Sequence, residues 1–381
     1  MKTKPSLWLM LLLLMFPQIV ETLYSPALAS ISQAFAVSDA RAAQTLSIYF
    51  IAFALGVAVW GIVADLWGRR PTMLLGLGIY GLAALVAMQT DSFGVLMLAR
   101  ACSAFGIAVG SIVTQTMLRD SFDGGSLGKV FSLMGLGIAL SPVIGMFTGG
   151  QLVQLGGHGA VFSLLFIMAW VLLGCCVRFL PETLPETATR IQGAKQSFPL
   201  SALAKRMLAD WHIWRSALLV AIYNIGLFSY YQLGGFAFAR LGLTPEQFGY
   251  SGLLLGLGSC VGSYLNSRLI ANEVGLQRRL VVAATLLLLG AASLFLLQGN
   301  VWFVLPMCLV VMAFGVAIPN VLSMALSDYK LYAGSAGALL GLLYYLLIGA
   351  GLALAGVVEH LGWVLLGCAV AAWVVTLIHR R

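Results

Sequence analysis

The chain has 381 residues, of which 61% are hydrophobic and only 9% are charged, and its mean hydropathy is +0.98. A soluble domain carries about 25% charged residues, so this composition excludes a soluble globular protein. The formal charge of +8 does not indicate a nucleic-acid-binding face, because all but one of the basic residues lie in loops or at the ends of apolar runs.

Long apolar runs follow one another along the whole chain, each close to the roughly 20 residues that a membrane-spanning helix needs. A transmembrane barrel is excluded, because its strands alternate apolar and polar residues over about ten positions. The sequence therefore predicts twelve transmembrane helices, at residues 6–27, 43–64, 72–90, 94–118, 127–152, 159–180, 213–239, 246–270, 278–298, 302–327, 334–356 and 360–379.

The longest polar and basic break divides these spans into two sets of six. The predicted fold is an all-α integral membrane protein with twelve helices in two six-helix bundles, a plan typical of transporters. The predicted domains are a first bundle at 1–180, a cytoplasmic linker at 181–212 and a second bundle at 213–381. A short amphipathic stretch is expected near 198–209.

The distribution of basic residues predicts the orientation. With the N-terminus in the cytoplasm, 18 of the 21 Lys and Arg residues fall on the cytoplasmic side, and only Arg41 and Arg240 fall outside. This follows the positive-inside rule, so we expect a multi-pass protein of the inner (cytoplasmic) membrane with both termini in the cytoplasm. The first span imitates a signal peptide, but its removal would reverse this asymmetry, so we expect it to be retained.

Glu21 is the only acidic residue in the interior of a predicted span, and Arg100 is the only basic one, because the other charged residues lie in loops or at span ends. An ionisable group at that depth is costly, which makes a functional role the default hypothesis. Both residues belong to the outer half of the membrane, where they are expected to sense each other's charge. We interpret them as a proton-coupling pair. The alternatives are a purely structural ion pair and a misplaced span end.

The loop at 61–71 reads GIVADLWGRRP and is the most specific string in the chain. Asp65 ends a helix, where the helix dipole disfavours an anion, so it requires a cationic partner, for which Arg119 is the candidate. Gly61 is expected to let its helix pack closely against a neighbour. The cluster predicted to latch one conformation comprises Gly61, Asp65, Gly68, Arg69, Arg70 and Arg119. The alternative is an ordinary basic loop.

This loop resembles the signature loop of the major facilitator superfamily. The fifth span resembles the antiporter motif of that superfamily, in which the Gly/Pro pattern bends the helix and packs it against a partner. The motif residues here are Gly137, Ser141, Pro142, Gly145, Gly149 and Gly150.

Shorter strings narrow the resemblance. They are MLRD at 117–120, LPETLP at 180–185, NSR at 266–268, PN at 319–320 and AGSAGAL at 333–339. Together they resemble the Bcr/CflA-type drug:proton antiporters, and the resemblance implies that Arg100 takes part in proton coupling. Ser103 and Ala104 stand where that family has Gln or His and then Gly. Thr22 stands where many relatives have Asp, and the acid is its neighbour Glu21.

Aromatic and amide side chains on the first, seventh, tenth and eleventh spans form the predicted substrate cavity. Aromatic faces suit flat organic cations through cation–π contacts, although aromatic residues also serve simply as packing residues or interface anchors. The candidates are Gln18, Tyr24, Tyr223, Asn224, Tyr230, Tyr231, Gln232, Asn320, Tyr344 and Tyr345.

These features favour a secondary active transporter that exports small amphiphilic organic compounds in exchange for protons. The alternatives are a dedicated exporter of one metabolite, such as a siderophore or an amino-acid derivative, and, more remotely, a membrane receptor or scaffold. The chain lacks a metal-ligand cluster, a nucleophile–base arrangement and a P-loop, so no enzyme activity, metal or cofactor is expected and the proton gradient is the expected energy source. The expected partners are a small-molecule substrate, protons and the lipid bilayer, without nucleic acid, and a monomer is expected.

Overall fold

The structure is a computed structural model that describes residues 4–184 and 200–378, and within these ranges it contains helices, turns and connecting segments but no strand. The predicted linker lies partly outside the described residues, as do Lys2, Arg190, Lys195, Arg380 and Arg381 of the basic set. The helices are α1 Leu7–Tyr24, α2 Leu28–Ala34, α3 Asp39–Trp67, α4 Arg69–Gln89, α5 Phe93–Ser121, α6 Gly124–Phe179, α7 Leu200–Ala209, α8 Trp211–Arg240, α9 Pro245–Ala271, α10 Leu276–Leu297, α11 Val304–Met324, α12 Ala333–Val358 and α13 Leu361–Leu377.

Each of the twelve predicted spans coincides with one of these helices or with part of one. A 3₁₀ turn at Ser25–Ala27, which contains Pro26, joins α1 to α2 within the first span. The 56-residue α6 holds the fifth and sixth spans, and its helical geometry breaks at Gly156 and Gly157. Gly157 has a φ of 62°, which glycine adopts without strain, so the turn between these two spans needs only two residues.

By length and apolar character, nine helices in the described part of the chain qualify as membrane-spanning. This count is lower than twelve because α6 counts once, α9 is less apolar than the other long helices, and the apolar α13 has only 17 residues. The fold prediction is nevertheless confirmed: α1–α6 form one six-helix bundle and α8–α13 form the other.

The two bundles contact each other mainly through two helix pairs, α3 with α12 and α6 with α9. We call the end of the molecule that carries α7 and the turn between α3 and α4 the linker face, and the other end the opposite face. The amphipathic α7 buries Leu203 and Met207 in an apolar cluster with Tyr329 and Leu340, in agreement with the predicted amphipathic stretch.

Near the opposite face the bundles are closed against each other. The side-chain amide of Gln232 on α8 donates to the carbonyl oxygens of Ala43, at 2.9 Å, and Leu352, at 3.0 Å. The Ser25 hydroxyl donates to the carbonyl oxygen of Tyr231 across the same interface. The bonds to Ala43 and from Ser25 join the two bundles and so hold the opposite face shut, whereas the bond to Leu352 lies within the second bundle.

Candidate functional site

Glu21 and Arg100 are both buried in the first bundle, each with only 2% of its surface exposed. Glu21 lies within α1, one turn before its end, so its span was placed correctly. The carboxyl Oε1 of Glu21 and the Nε and Nη2 atoms of Arg100 have no hydrogen-bond partner among the described residues. Within the same residues the ion pairs are Arg69–Asp65 and Arg69–Asp120, so Glu21 and Arg100 interact at longer range and do not form a direct pair.

Two tyrosine rings hold the Arg100 guanidinium. Its Cζ atom lies 3.9 Å from the ring centroid of Tyr24 and 4.8 Å from that of Tyr49. The Tyr49 hydroxyl donates to the carbonyl oxygen of Pro17 at 3.2 Å, which ties this ring to α1. Cation–π contacts of a desolvated guanidinium stabilise it by about 2 kcal/mol or more. The Arg100 guanidinium is therefore in contact with two aromatic rings and not with a carboxylate.

Ser103 does not act as a partner for the Arg100 side chain. Its hydroxyl donates to the backbone carbonyl oxygen of Arg100 at 2.9 Å, as serine hydroxyls commonly do inside a helix. Tyr49 is a site residue that the sequence analysis missed, because one tyrosine in an apolar span gives no signal to distinguish it from packing residues.

Residues of both bundles surround Glu21. Arg100 and Tyr49 of its own bundle and Tyr231 and Tyr345 of the other lie within range of its charge. A movement of one bundle against the other therefore changes the surroundings of this carboxyl.

The glycines of the antiporter motif position α1. A Cβ atom at Gly145 would lie 3.0 Å from the Ile19 carbonyl oxygen and would overlap Thr22, and one at Gly149 would overlap the Leu23 carbonyl oxygen. A Cβ atom at Gly137 would overlap the side chain of Leu11. The face of α6 that carries these glycines thus lies directly against α1 on either side of Glu21.

Gly150, the last glycine of the motif, points to the other bundle. A Cβ atom there would lie 2.7 Å from the Pro245 carbonyl oxygen and 2.8 Å from the Cα of Gly249 on α9. We expect Gly150→Ala to separate α6 from α9 at the opposite face, since overpacking costs about 1–3 kcal/mol. Labelling of a cysteine at Ser25 by an impermeant maleimide, in a chain without its native cysteines, should then accelerate about fivefold or more.

The matched control for this prediction is Gly159→Ala. Gly159 also lies on α6, but nothing lies within 4 Å of its added Cβ. An unchanged labelling rate in Gly150→Ala, or an equal acceleration in the control, would contradict the closing role of the Gly150 contact.

A cavity of about 490 Å³ lies between the bundles, bounded by α1 and α6 on one side and by α8, α9 and α11 on the other. Its lining extends to Leu322, two residues before the end of α11, so the cavity reaches towards the linker face. Of the predicted cavity residues, Gln18, Asn224 and Tyr231 line it.

The other predicted cavity residues are elsewhere. Tyr24 packs under Arg100, Gln232 binds backbone carbonyls between the bundles, and the Tyr230 hydroxyl donates to Ser251 inside the second bundle at 2.6 Å. Three more lie off the cavity lining: Tyr223, Tyr344 and Tyr345. The aromatic residues of the lining include Phe228 and Phe314, which the sequence analysis did not select.

Asn320 is also misassigned, because it belongs to a polar cluster of the second bundle. Its amide donates to the Asn266 Oδ1 at 2.6 Å, and its own Oδ1 accepts from Arg279.

At the linker face, Arg69 is the centre of a charge cluster. Its guanidinium contacts Asp65 at 2.7 Å and Asp120 at 2.9 Å. Arg119, the expected partner of Asp65, instead lies with its guanidinium 5.7 Å from the ring centroid of Phe131. That expectation is wrong because only Gly68 separates α3 from α4, which brings Arg69 back to the end of α3 where Asp65 lies.

Gly61 does not make the expected close contact. A Cβ atom there would find only Ile112, at 4.0 Å, whereas one at Gly56 on the same helix would lie 2.6 Å from the Phe105 carbonyl oxygen. The close approach of α3 to α5 therefore takes place five residues, or about one and a half turns of helix, earlier than expected.

Glu182, for which the sequence analysis assigned no role, caps α4. Its carboxylate accepts the backbone N–H groups of Arg69 and Arg70, both at 3.0 Å, and those of Thr183 and Leu184, both at 2.9 Å. Partial burial raises the pKa of this carboxyl, but the four N–H groups outweigh it and hold the pKa below its usual value. Glu182 thereby fastens the end of α6 to the start of α4.

We expect Glu182→Ala to destabilise the protein by about 1 kcal/mol, the usual cost of removing a helix cap. Because the pKa is lowered in the folded state, this stabilisation is present above the ordinary Glu pKa and is lost as the pH falls through the folded value. In detergent, the variant should therefore unfold at a lower temperature than wild type at pH 7, and this difference in unfolding temperature should narrow towards pH 4. A difference of constant size would contradict the capping role.

In the described residues no group of three His, Cys, Asp or Glu side chains is placed to hold a metal ion. The site therefore consists of a buried carboxyl, a buried guanidinium among tyrosines, an adjoining cavity and a charge cluster at the linker face.

Known proteins resemble this chain over nearly its whole length. A transporter of uncharacterised function from Rickettsia bellii is 29% identical over 90% of this chain and 87% of its own length. Multidrug resistance protein D of Escherichia coli is 28% identical, with coverages of 88% and 84%. A bicyclomycin resistance protein homologue of Haemophilus influenzae is 27% identical, with coverages of 87% and 83%.

Among solved structures, the crystal structure of a D-xylose-proton symporter superposes with a TM-score of 0.77 at 15% identity, covering 98% of this chain and 97% of the other. The resemblance to Bcr/CflA-type drug exporters agrees with the two resistance proteins. The profile of the Major Facilitator Superfamily matches residues 9–353. The chain therefore belongs to the Major Facilitator Superfamily and is a membrane transporter, not an enzyme.

Proposed function

We propose that this transporter exports small amphiphilic organic compounds across the cytoplasmic membrane in exchange for protons, with the linker face in the cytoplasm. The observation that carries the proposal is Glu21. It is a buried carboxyl whose Oε1 has no hydrogen-bond partner among the described residues, and it lies one turn from the cavity-lining Gln18 and near tyrosines of the other bundle.

The chemistry of such a carboxyl suits proton exchange. Burial in an apolar bundle favours its neutral form, and the charge of Arg100 opposes this preference, so a change in either influence alters its affinity for a proton. When the bundles rock, the tyrosines of the second bundle move relative to Glu21 and the balance shifts. Glu21 then binds a proton in one state of the transporter and releases it in the other.

The distribution of basic residues supports the orientation in the membrane, and the relatives support the direction of transport. Within the described residues, the basic side chains lie mainly towards the linker face, as the positive-inside rule requires of a cytoplasmic side. Two relatives bear names that refer to multidrug and bicyclomycin resistance. The proton gradient supplies the energy without a cofactor, since each charge that crosses the membrane potential contributes about 2.3 kcal/mol per 100 mV.

The test is substrate-triggered proton movement in inside-out vesicles with an acidified lumen, read with a pH-sensitive dye. Addition of several unrelated amphiphilic compounds should each release protons from the lumen. A response to a single compound would favour the dedicated exporter, and no response in vesicles that hold folded protein would contradict proton-coupled export.

A further inference from the structure

Among the residues that the structure describes, the lining of the cavity between the bundles contains no charged side chain. Its polar residues are Gln18, Asn224, Tyr231, Ser259 and Ser263, and the remaining residues are apolar or glycine. Glu21 and Arg100 do not reach its surface and are almost fully buried in the first bundle. A molecule in this cavity therefore meets aromatic and aliphatic walls with a few neutral hydrogen-bonding groups.

Most of these neutral groups are unused within the described chain. The side chains of Gln18, Tyr231, Ser259 and Ser263 donate or accept no hydrogen bond there, and Asn224 uses only its N–H, which donates to the Val220 carbonyl oxygen at 2.7 Å. Serine hydroxyls inside helices usually bond to the carbonyl four residues earlier, so two unbonded serines on α9 are available to a ligand. The wall offers both donors and acceptors.

From this lining we infer that the transported compound is uncharged: a largely apolar, aromatic molecule with amide or hydroxyl groups rather than a lipophilic cation. A charge moved into an apolar site without a counter-charge is strongly disfavoured, whereas an amide or hydroxyl recovers its hydrogen bonds from the wall. The volume of about 490 Å³ lies within the range of small-molecule sites.

An uncharged substrate has a consequence for energy coupling, which rests on the proposed proton exchange. If a neutral molecule leaves while one or more protons enter, every cycle moves net positive charge inwards. The membrane potential alone, without a pH difference, then drives export. Exchange of one monovalent cation for one proton would move no net charge.

Tyr231 connects the cavity to the carboxyl. It lines the cavity, its backbone carbonyl accepts from the Ser25 hydroxyl, and it lies near Glu21. A neutral ligand that contacts Tyr231 therefore influences the proton site without bonding to Glu21 itself.

The test measures binding of three probes that share two benzyl groups and differ in charge: N,N-dibenzylacetamide, dibenzyldimethylammonium and 2,2-dibenzylacetate. Equilibrium dialysis with the purified full-length protein should show the neutral amide binding about tenfold or more tightly than either ion. Tighter binding of the ammonium or the acetate, or no binding of any of the three, would overturn the inference.

A carboxylate placed in the cavity should reverse this order. Asn224→Asp preserves the shape of the side chain and should raise affinity for dibenzyldimethylammonium about tenfold, with a loss of affinity for the amide. If Asn224→Asp does not fold, Ser259→Asp replaces it in this test, because Ser259 lines the same cavity. Ser267→Asp, on the same helix but outside the lining, is the control and should leave both affinities unchanged. Unchanged affinities in both cavity variants would also overturn the inference.

Transport in proteoliposomes separates this inference from the proposed function. A potassium diffusion potential at equal pH should drive uptake of the neutral probe and proton counterflow. If the amide binds best but moves no protons, proton-coupled export fails and the assignment of the cavity to neutral ligands stands. If protons move with the ammonium alone, export stands and the inference fails.

Discussion

We expect Glu21→Gln to abolish proton-coupled exchange while the protein remains folded. The variant keeps the shape of the side chain and its neutral form but cannot ionise, so it mimics one protonation state of the site permanently. Because Glu21 makes no hydrogen bond or direct ion pair in the described chain, the substitution breaks no contact that holds α1 in place. Loss of function without loss of stability is the signature of a proton site.

The measurement is proton release from inside-out vesicles on addition of a substrate that wild type transports. The response of Glu21→Gln should fall by about a hundredfold, to the background of empty vesicles, since one group carries the coupling. Substrate exchange without a pH gradient should persist, because the bundles can still rock. Thermal unfolding in detergent should stay close to that of wild type.

The matched control is Glu273→Gln, which makes the same substitution at an exposed residue between α9 and α10. It should leave proton release unchanged. Retained flux driven by the pH gradient in Glu21→Gln would refute the assignment, and so would an equal loss in the control.

The twelve helices and Glu21 were predictable from sequence, because each depends on a property of the chain itself. A run of about 20 apolar residues has few alternatives to a membrane helix, and an acid inside such a run stands out whatever its neighbours are. The close packing of the motif glycines was expected from the resemblance to the antiporter motif, since glycine in a membrane helix does not by itself indicate a close approach, as Gly61 shows. The sequence did not reveal that Gly145 and Gly149 approach α1 while Gly150 approaches α9.

The cavity was only partly predictable, because neighbouring residues on a helix face different directions. Tyr230, Tyr231 and Gln232 are consecutive on α8, and each step turns the side chain by about 100°. Tyr230 bonds to Ser251 within its own bundle, Tyr231 faces the cavity, and Gln232 joins the two bundles. Their similar chemistry suggested one common role. Their different roles depend on how α8 is rotated about its own axis, which the sequence does not show.

The linker-face cluster shows a different limit. The helix dipole correctly indicated that Asp65 needs a cation, but several arginines were available and the choice among them depends on the turn at Gly68. That residue has a φ of 102°, and a Cβ atom there would lie 2.6 Å from the Glu182 carboxylate. The same turn exposes the first N–H groups of α4 to Glu182, an acid more than 110 residues away in sequence. No local pattern predicts such a cap.

We expect Arg100→Ala to reduce proton-coupled exchange by about a hundredfold or more, because it leaves the Glu21 carboxylate buried without its cation. Arg100→Lys should lose about tenfold, since a lysine keeps the charge but not the planar group that stacks on Tyr24 and Tyr49. The proton affinity of Glu21 should rise when the cation is removed, so the pH at which Arg100→Ala exchanges fastest should lie above that of wild type. The control for both Arg100 variants is Arg41→Ala. Arg41 also lies over an aromatic ring, that of Phe93 at 5.3 Å, but at an exposed position. The measurement is proton release as a function of pH. Equal, full activity of both Arg100 variants would remove this residue from the mechanism. A loss of activity in Arg100→Ala without a change in the pH profile would indicate that Arg100 has a structural role only.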